Sequence, residues 1–278
     1  MTSLRQQTRA LLQQYDLEPH KGLGQHFLID GSALARIVAA AELSPADLVV
    51  EVGAGSGTLT RALAARARRV VAIEVDGGLI ALLRQELGGA ANVDIVHGDL
   101  LALDLAEWVG EQPYCVVANL PYSITSAALR YFLTARRPPV RMVVTVQREV
   151  AERIVARDGR MSLLAVSVRF YGHPEILFRL RPGAFYPPPA VESTVLRIDW
   201  HARPPVPFDE AEHFFRVVRA GFSQPRKQLR NSLAGGLGMA PAAAAAAIRT
   251  AGIDPRLRAE RLQLDDWARL MQVLRHGN

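Results

Sequence analysis

Between residues 47 and 147, five short apolar runs alternate with stretches of helical periodicity: DLVVEV (47–52), RVVAIEV (69–75), VDIVHG (93–98), YCVVAN (114–119) and MVVTVQ (142–147). No other feature restricts the fold as much. Runs that are apolar at nearly every position fit strands buried on both faces, and strands separated by helices pair in parallel. The pattern therefore predicts an α/β fold, a mostly parallel sheet covered by helices on both faces. Two further runs, SLLAVSVRFY (162–171) and ESTVLRIDW (192–200), are joined by a proline-rich loop instead of a helix. They are expected to finish the sheet as an antiparallel pair.

HARPPVP (201–207) carries three prolines and is expected to be a linker. Beyond it the pattern is helical through DEAEHFFRVVRAG, PRKQLRNSL, the alanine run at 242–247 and DDWARLMQVL. The expected division is a sheet domain over 1–200 and a small all-helical domain over 208–278. An apolar fraction of 49% over 278 residues suits a globular chain with a sizeable core. The near-uniform apolar segments are only of strand length, and the N-terminus lacks an apolar stretch followed by a small-residue cleavage site. The expectation is a cytoplasmic protein with no membrane segment. Cys115 is the only cysteine, so an internal disulfide or a cysteine-built zinc site is excluded, and the seven histidines lack ligand spacing. No metal is expected.

Residues 1–200 carry 21 Lys and Arg against 20 Asp and Glu, whereas residues 201–278 carry 12 against 7. The basic excess lies in the last quarter, where it fits either a polyanionic partner or a solvated basic face.

EVGAGSGTLT (51–60) places Gly53, Gly55 and Gly57 between the first strand and a helix. Glycines there let the backbone turn sharply and approach a ligand at the carboxyl edge of the sheet. The spacing is G-x-G-x-G preceded by Glu51, not the G-x-G-x-x-G of dinucleotide sites, and is similar to the loop of S-adenosylmethionine-dependent methyltransferases. Glu74 ends the second strand, 21 residues after Gly53, where a carboxylate can accept hydrogen bonds from two ribose hydroxyls. Asp99 follows the third strand and fits either an acceptor for an adenine amino group or a helix cap. Gly, Glu and Asp at three successive strand ends describe an adenosine pocket.

The fourth strand ends in Asn119-Leu120-Pro121-Tyr122, where the reactive end of such a cofactor lies. If the substrate is an adenine amino group, its nitrogen is a poor nucleophile because the lone pair is delocalised into the ring. The Asn119 side-chain oxygen and the Leu120 carbonyl can hold its two hydrogens, and Pro121 fixes that carbonyl through its locked φ. Tyr122 offers a face on which a flipped-out base can stack, worth roughly 1–3 kcal/mol. Catalysis would then be mainly alignment and electrostatic positioning. Taken alone, the tetrapeptide fits a proline turn with Ser123 or Thr125 capping the next helix better than it fits a site; the Gly, Glu and Asp at the preceding strand ends turn the reading to the site.

At this point the chain resembles the ribosomal RNA small-subunit adenine N6,N6-dimethyltransferase family (KsgA/RsmA type) over essentially its full length. The resemblance is carried by KGLGQHFL (21–28), EVGAGSGTLT, VVAIEVD, HGD, NLPYSITS, VTVQREVAERI (144–154), GAFYPPPAVEST (183–194), FSQPRKQLRNSL (222–233) and GIDPRLRAERL (252–262). It implies a class I, Rossmann-like methyltransferase sheet, S-adenosylmethionine as methyl donor, and dimethylation of two adjacent adenosines near the 3′ end of 16S rRNA in small-subunit biogenesis. The implied partner is 16S rRNA or the small ribosomal subunit, and the implied state a monomer. By position the resemblance assigns His26, Leu28, Gly53, Glu74, Asp99 and Asn119 to the cofactor, and Asn119, Leu120 and Tyr122 to the target base. Phe185 is implied to stack on the base's other face, whereas without the resemblance it reads as a core or loop aromatic. His26 stands where the family usually has asparagine; a neutral imidazole can still donate one hydrogen bond, and a pH-dependent cofactor affinity becomes an expectation.

Related enzymes that methylate large-subunit rRNA share the cofactor and NLPY-like motifs and differ in the C-terminal part. FSQPRKQLRNSL is similar to the small-subunit form, and Arg226, Lys227 and Arg230, expected one helical turn apart, would hold rRNA phosphates. Two other classes compete: a methyltransferase-fold ribosome-assembly or nucleic-acid-binding factor without catalysis, and a nicotinamide-dependent oxidoreductase. The intact NLPY and glycine loop oppose the first, and the glycine spacing opposes the second.

Overall fold

The structure is a computed structural model and describes residues 3–156, 159–201 and 206–276. In chain order its elements begin with α1 (Leu4–Gln14), β1 (Phe27–Leu28), α2 (Gly31–Ala40), β2 (Leu48–Val52), α3 (Thr58–Ala64), β3 (Arg69–Glu74) and α4 (Gly77–Leu87). They continue with β4 (Val93–His97), α5 (Ala106–Val109), β5 (Tyr114–Asn119), α6 (Thr125–Leu133), β6 (Arg141–Gln147), α7 (Arg148–Val155), α8 (Leu163–Tyr171) and β7 (Gly172–Leu180). After β8 (Phe185–Tyr186) and β9 (Ser193–Trp200) come α9 (Ala211–Phe222), α10 (Leu229–Leu237), α11 (Pro241–Thr250) and α12 (Leu264–His276). The chain divides into two compact units, Met1–Ala151 with Glu175–Trp200, and Glu152–Pro174 with His201–Asn278.

The sheet has seven strands in the order β4-β3-β2-β5-β6-β9-β7. From β4 to β6 every pairing is parallel, and β9 runs antiparallel to β6. The buried runs explain why these segments are strands: all of β2, the last five residues of β3 and the first five of β5 are buried. Val49, Val50, Val70, Val71, Val116 and Val117 are fully enclosed, each contributing roughly 1.5–3 kcal/mol over an exposed side chain. The chain lays β2 centrally, steps outward through β3 and β4, then returns to place β5 and β6 on the other side. Strand order thus reverses between β2 and β5, the place where such sheets open a crevice at their carboxyl ends.

One expected strand is a helix. Residues 163–171 form α8, its N-terminus capped by Ser162 Oγ, which accepts the Ala165 N–H at 3.1 Å. Ala165, Val166 and Phe170 fill the core of the helical unit with Phe214, Leu229, Leu233 and Trp267. A short, apolar, valine-containing run satisfies both local readings, and packing decides between them. The strand comes next, as β7, and its Pro174 is tolerated because β7 is the edge of the sheet. The segment 152–174 consequently groups with the helical unit.

In the helical unit the basic segment also differs from expectation. Arg226 and Lys227 lie in a turn, and only Arg230 lies in α10, which starts at Leu229. Of the expected linker, residues 202–205 lie outside the described residues. Among the described residues no helix is long and apolar enough to cross a membrane.

Candidate active site

The carboxyl ends of β2 to β5 and the loop before β1 enclose a cavity of about 320 Å³. Its wall includes His26, Leu28, Glu51, Gly53, Gly55, Glu74, Asp99, Asn119, Leu120, Pro121 and Tyr122, so folding gathers most of the residues expected from sequence.

The glycine loop takes its path because Gly53, Gly55 and Gly57 have φ of +73°, +58° and +73°, a region that costs other residues roughly 1–2 kcal/mol. The N–H groups of Gly53 and Ala54 both reach the Ile73 carbonyl, which ties the loop to β3. A Cβ on Gly53 would stand 3.3 Å from Pro121 Cδ, and one on Gly55 would stand 3.2 Å from the Phe27 ring. These two glycines keep the loop close to its neighbours at the cavity. Gly57 is different, because it is not part of the wall. A Cβ there would meet Leu87 Cδ1 at 2.9 Å, so Gly57 serves the packing of α3 on α4 and does not face the cavity as a cofactor residue would.

Glu74 ends β3 and is only 5% exposed. Its Oε2 accepts the Gly55 N–H at 2.8 Å, and its Oε1 accepts the N–H groups of Val75 and Asp76. Burial raises its pKa and these three backbone donors oppose the rise without cancelling it. A carboxylate offers about four acceptor sites, so capacity remains for a hydroxyl. Asp76 beside it caps α4 and receives Gln25 Nε2 at 2.9 Å, which pins the loop before β1 to this edge. Asp99 is not a helix cap: its Oδ1 accepts the Leu101 N–H at 2.9 Å within a turn, α5 begins only at Ala106, and Asp99 lines the cavity.

At the fourth strand end, Asn119 Nδ2 donates to the His26 carbonyl at 2.8 Å. Because a carbonyl can only accept, this contact fixes the amide orientation and leaves Oδ1 as the free acceptor. The Pro121 carbonyl accepts the Ile124 N–H and the Thr125 hydroxyl. No side chain caps the first turn of α6, so NLPY is not a turn whose purpose is a Ser123 or Thr125 cap. The Tyr122 hydroxyl lies 2.6 Å from Ser193 Oγ, and its ring is centred 5.6 Å from that of His26. Burial raises the Tyr122 pKa and the Ser193 hydrogen bond opposes this. His26 Nδ1 lies 2.7 Å from the Pro187 carbonyl, so that nitrogen carries the proton. The imidazole donates as expected, but to the loop after β8.

Phe185 is not brought into the wall. It is 2% exposed, pairs with Leu28 across β1 and β8, and packs with Ile37, Val38 and Leu180. A phenyl ring on the inward face of a strand gains more from the core than from an aqueous cavity. Leu28 belongs to the same core cluster and also borders the cavity. In the helical unit, Arg226, Lys227 and Arg230 are exposed.

Sequence reasoning gives no role to two cavity residues, Glu51 and Gln25, nor to Ser193 behind Tyr122. Glu51 carried a signal, since a carboxylate inside LVVEV is costly on a doubly covered strand. It is 1% exposed and its Oε2 has no hydrogen-bond partner. Burial pushes its carboxyl up to about 8, with Thr60 opposing and the Glu74 charge adding to the rise. Among the described residues no group of three or more His, Cys, Asp or Glu side chains is placed to hold a metal ion.

A likeness to solved structures extends over both units. The 23S rRNA methyltransferase ErmE is 31% identical with a TM-score of 0.73, over 90% of this chain and 99% of that one. A dimethyladenosine transferase from Plasmodium falciparum has a TM-score of 0.78 at 21% identity, over 90% and 98% of the two chains, and shares the fold. Among curated proteins, the ribosomal RNA small subunit methyltransferase A of Dehalococcoides mccartyi is 46% identical over 96% of this chain and 92% of its own length. The protein of that name from Moorella thermoacetica is 42% identical over 97% of each. The family model for ribosomal RNA adenine dimethylase matches residues 17–276, which span the glycine loop, the NLPY turn and the basic helical unit alike. With nearly the whole chain matched in this way, the protein belongs to the ribosomal RNA adenine dimethylase family.

Proposed function

We propose that this protein dimethylates the exocyclic amino groups of two adjacent adenosines near the 3′ end of 16S rRNA, using S-adenosylmethionine, during small-subunit assembly. Identity of 42–46% to small-subunit enzymes against 31% to the 23S enzyme ErmE supports the small-subunit substrate. The observation that carries the chemistry is the free Asn119 Oδ1, oriented by the hydrogen bond from Nδ2 to the His26 carbonyl.

The wall fits the cofactor. Glycines at positive φ leave the loop without a side chain at Gly53 and Gly55, and carboxylates stand at or beside the ends of β2 to β4. Glu74 would hold the ribose, Asp99 the adenine, and Gly53, Leu28, His26 and Asn119 the remainder. When bound, S-adenosylmethionine supplies an electrophilic methyl group on a sulfonium whose departure leaves a neutral thioether.

The protein's part is to present the amine. Asn119 Oδ1 and the Leu120 carbonyl accept its two hydrogens, which favours a pyramidal nitrogen with its lone pair turned to the methyl group. Tyr122 stacks on the base, and Ser193 and His26 hold its ring in place. Phe185, buried in the core, offers no second plate in this arrangement. The surplus proton of the alkylated nitrogen is acidic enough to leave to water.

The sheet unit is read as the methyltransferase domain. The helical unit is read as the rRNA-binding domain, with Arg226, Lys227 and Arg230 contacting phosphates. Action as a monomer is part of the same proposal, and the substrate places the work in the cytoplasm. Mass spectrometry of small-subunit rRNA from a strain lacking the gene, with and without this chain supplied, tests the proposal. Dimethyladenosine should return only when the chain is present, and its absence in the complemented strain would refute the reading.

A further inference from the structure

Gln25 is a polar side chain of the cavity wall to which the functional reading gives no task. Its amide has one orientation: Oε1 accepts the His20 backbone N–H at 2.8 Å, so Nε2 is the group that donates to Asp76 Oδ2 at 2.9 Å. The Asp76 side chain is 12% exposed and keeps its other oxygen, Oδ1, on the N–H groups of Gly78 and Leu79 at the start of α4. A hydrogen bond to a carboxylate shielded from water is among the stronger ones. His20 Nε2 lies 3.9 Å from the same oxygen, on a side chain 68% exposed, and adds little. The link to the end of β3 therefore rests mainly on Gln25.

The next residue in the chain reaches the other way, because the His26 carbonyl accepts Asn119 Nδ2 at 2.8 Å. In the sheet, β3 and β5 stand on either side of β2. Two consecutive residues thus bridge two strand spacings, roughly 10 Å, across the carboxyl end of β2. The segment also rests against NLPY: a Cβ on Gly24 would stand 3.7 Å from Ser123 Oγ and 3.8 Å from the Tyr122 nitrogen. A His26 carbonyl out of place no longer tells the two ends of the Asn119 amide apart, and an Nδ2 turned to the target amine would repel its hydrogens.

We propose that Gln25 is a positioning residue for methyl transfer: its hydrogen bond to Asp76 fixes the segment whose His26 carbonyl aims Asn119 Oδ1, so that it governs turnover and not cofactor affinity. This rests on the methyl-transfer reading of the cavity. His26 Nδ1 on the Pro187 carbonyl is a second anchor for the same segment. Loss of the Gln25 anchor should consequently slow the reaction without stopping it.

The test exchanges donor and acceptor. Gln25→Glu sets two carboxylates against each other, and Asp76→Asn sets two amide N–H groups against each other while an asparagine still caps α4. Each should lower kcat roughly tenfold in methylation of small subunits from a strain that lacks the modification. The double variant again faces one N–H with one carboxylate, and its kcat should return to within roughly threefold of wild type. Affinity for S-adenosylhomocysteine, measured by calorimetry, should move less than roughly threefold in all three. Wild-type kcat in the single variants would overturn the proposal, as would a double variant no faster than the singles. A loss of affinity as large as the loss of kcat would overturn it too, by making Gln25 part of the cofactor site. Where thermal unfolding shows that a charged variant does not fold, Gln25→Ala decides, with the same roughly tenfold loss of kcat at retained affinity expected. A wild-type chain that leaves the subunits unmethylated would overturn the functional reading, and this proposal with it.

Discussion

At the cavity of the sheet unit, the polar groups are held by other parts of the chain before any ligand arrives. Glu74 takes three backbone N–H groups, Asn119 is fixed by the His26 carbonyl, Tyr122 by Ser193 and His26 by the Pro187 carbonyl. In the helical unit, Arg226, Lys227 and Arg230 are exposed, and their side chains make no hydrogen bond or ion pair among the described residues. The contrast separates two kinds of recognition. A reacting nitrogen must be placed to a fraction of an ångström, and only groups locked by a second contact can do so. A phosphate backbone needs nearby positive charge, which mobile, solvated side chains supply without fixed partners.

The comparison predicts abrupt losses in one region and graded losses in the other. Asn119→Ala should lower methyl transfer by at least roughly 100-fold, since it removes an acceptor aimed at the reacting group. Binding of S-adenosylhomocysteine, measured by calorimetry, should weaken but remain. Wild-type turnover in a methylation assay would break the view that the cavity is preorganised. The double variant Arg226→Glu with Lys227→Glu should weaken rRNA binding on the order of tenfold and lower the log–log salt slope by roughly 1.5, for two lost phosphate contacts. Affinity for S-adenosylhomocysteine should not move. Unchanged RNA binding would return these residues to a solvated face.

The smallest expected effects lie within the glycine loop. Gly53→Ala and Gly57→Ala face similar backbone strain, roughly 1–2 kcal/mol each, at an identical φ of +73°. The carbon added at Gly53 approaches Pro121, and the one added at Gly57 approaches Leu87. The first should weaken cofactor affinity and turnover together, whereas the second should lower the melting temperature by a few degrees with affinity retained. Thermal unfolding and calorimetry on both variants would show the split, and equal losses of affinity would erase it.

Much of the site was legible because its residues are tied to strand ends. DLVVEV, RVVAIEV, VDIVHG and YCVVAN mark buried parallel strands by their unbroken apolar runs. Gly53, Glu74, Asp99 and Asn119 stand at the ends of those runs or within a residue of them. The misreadings share one cause, that neighbours distant in sequence choose between locally equivalent states. LLAVSVRFY satisfies strand and helix alike, and the core of Phe214 and Trp267 made it helical. GHPEILFRL, part of the stretch expected to be a proline-rich loop, forms the edge strand β7, where its proline is accommodated. Phe185 and Gly57 occur in motifs that suggest ligand contact, and packing turned one into core and the other into a helix seat.

By itself the sequence determined the strand–helix alternation, the glycine turn, the acidic strand ends and the basic excess of the last quarter, because each depends on local chemistry and short periodicity. The tertiary structure alone decided which atoms are free. Asn119 presents an oxygen because the His26 carbonyl occupies its nitrogen, and Glu51 holds an unpaired oxygen because β2 is buried along its whole length. Whether an atom is free depends on everything packed around it, and those neighbours come from segments far apart in the chain.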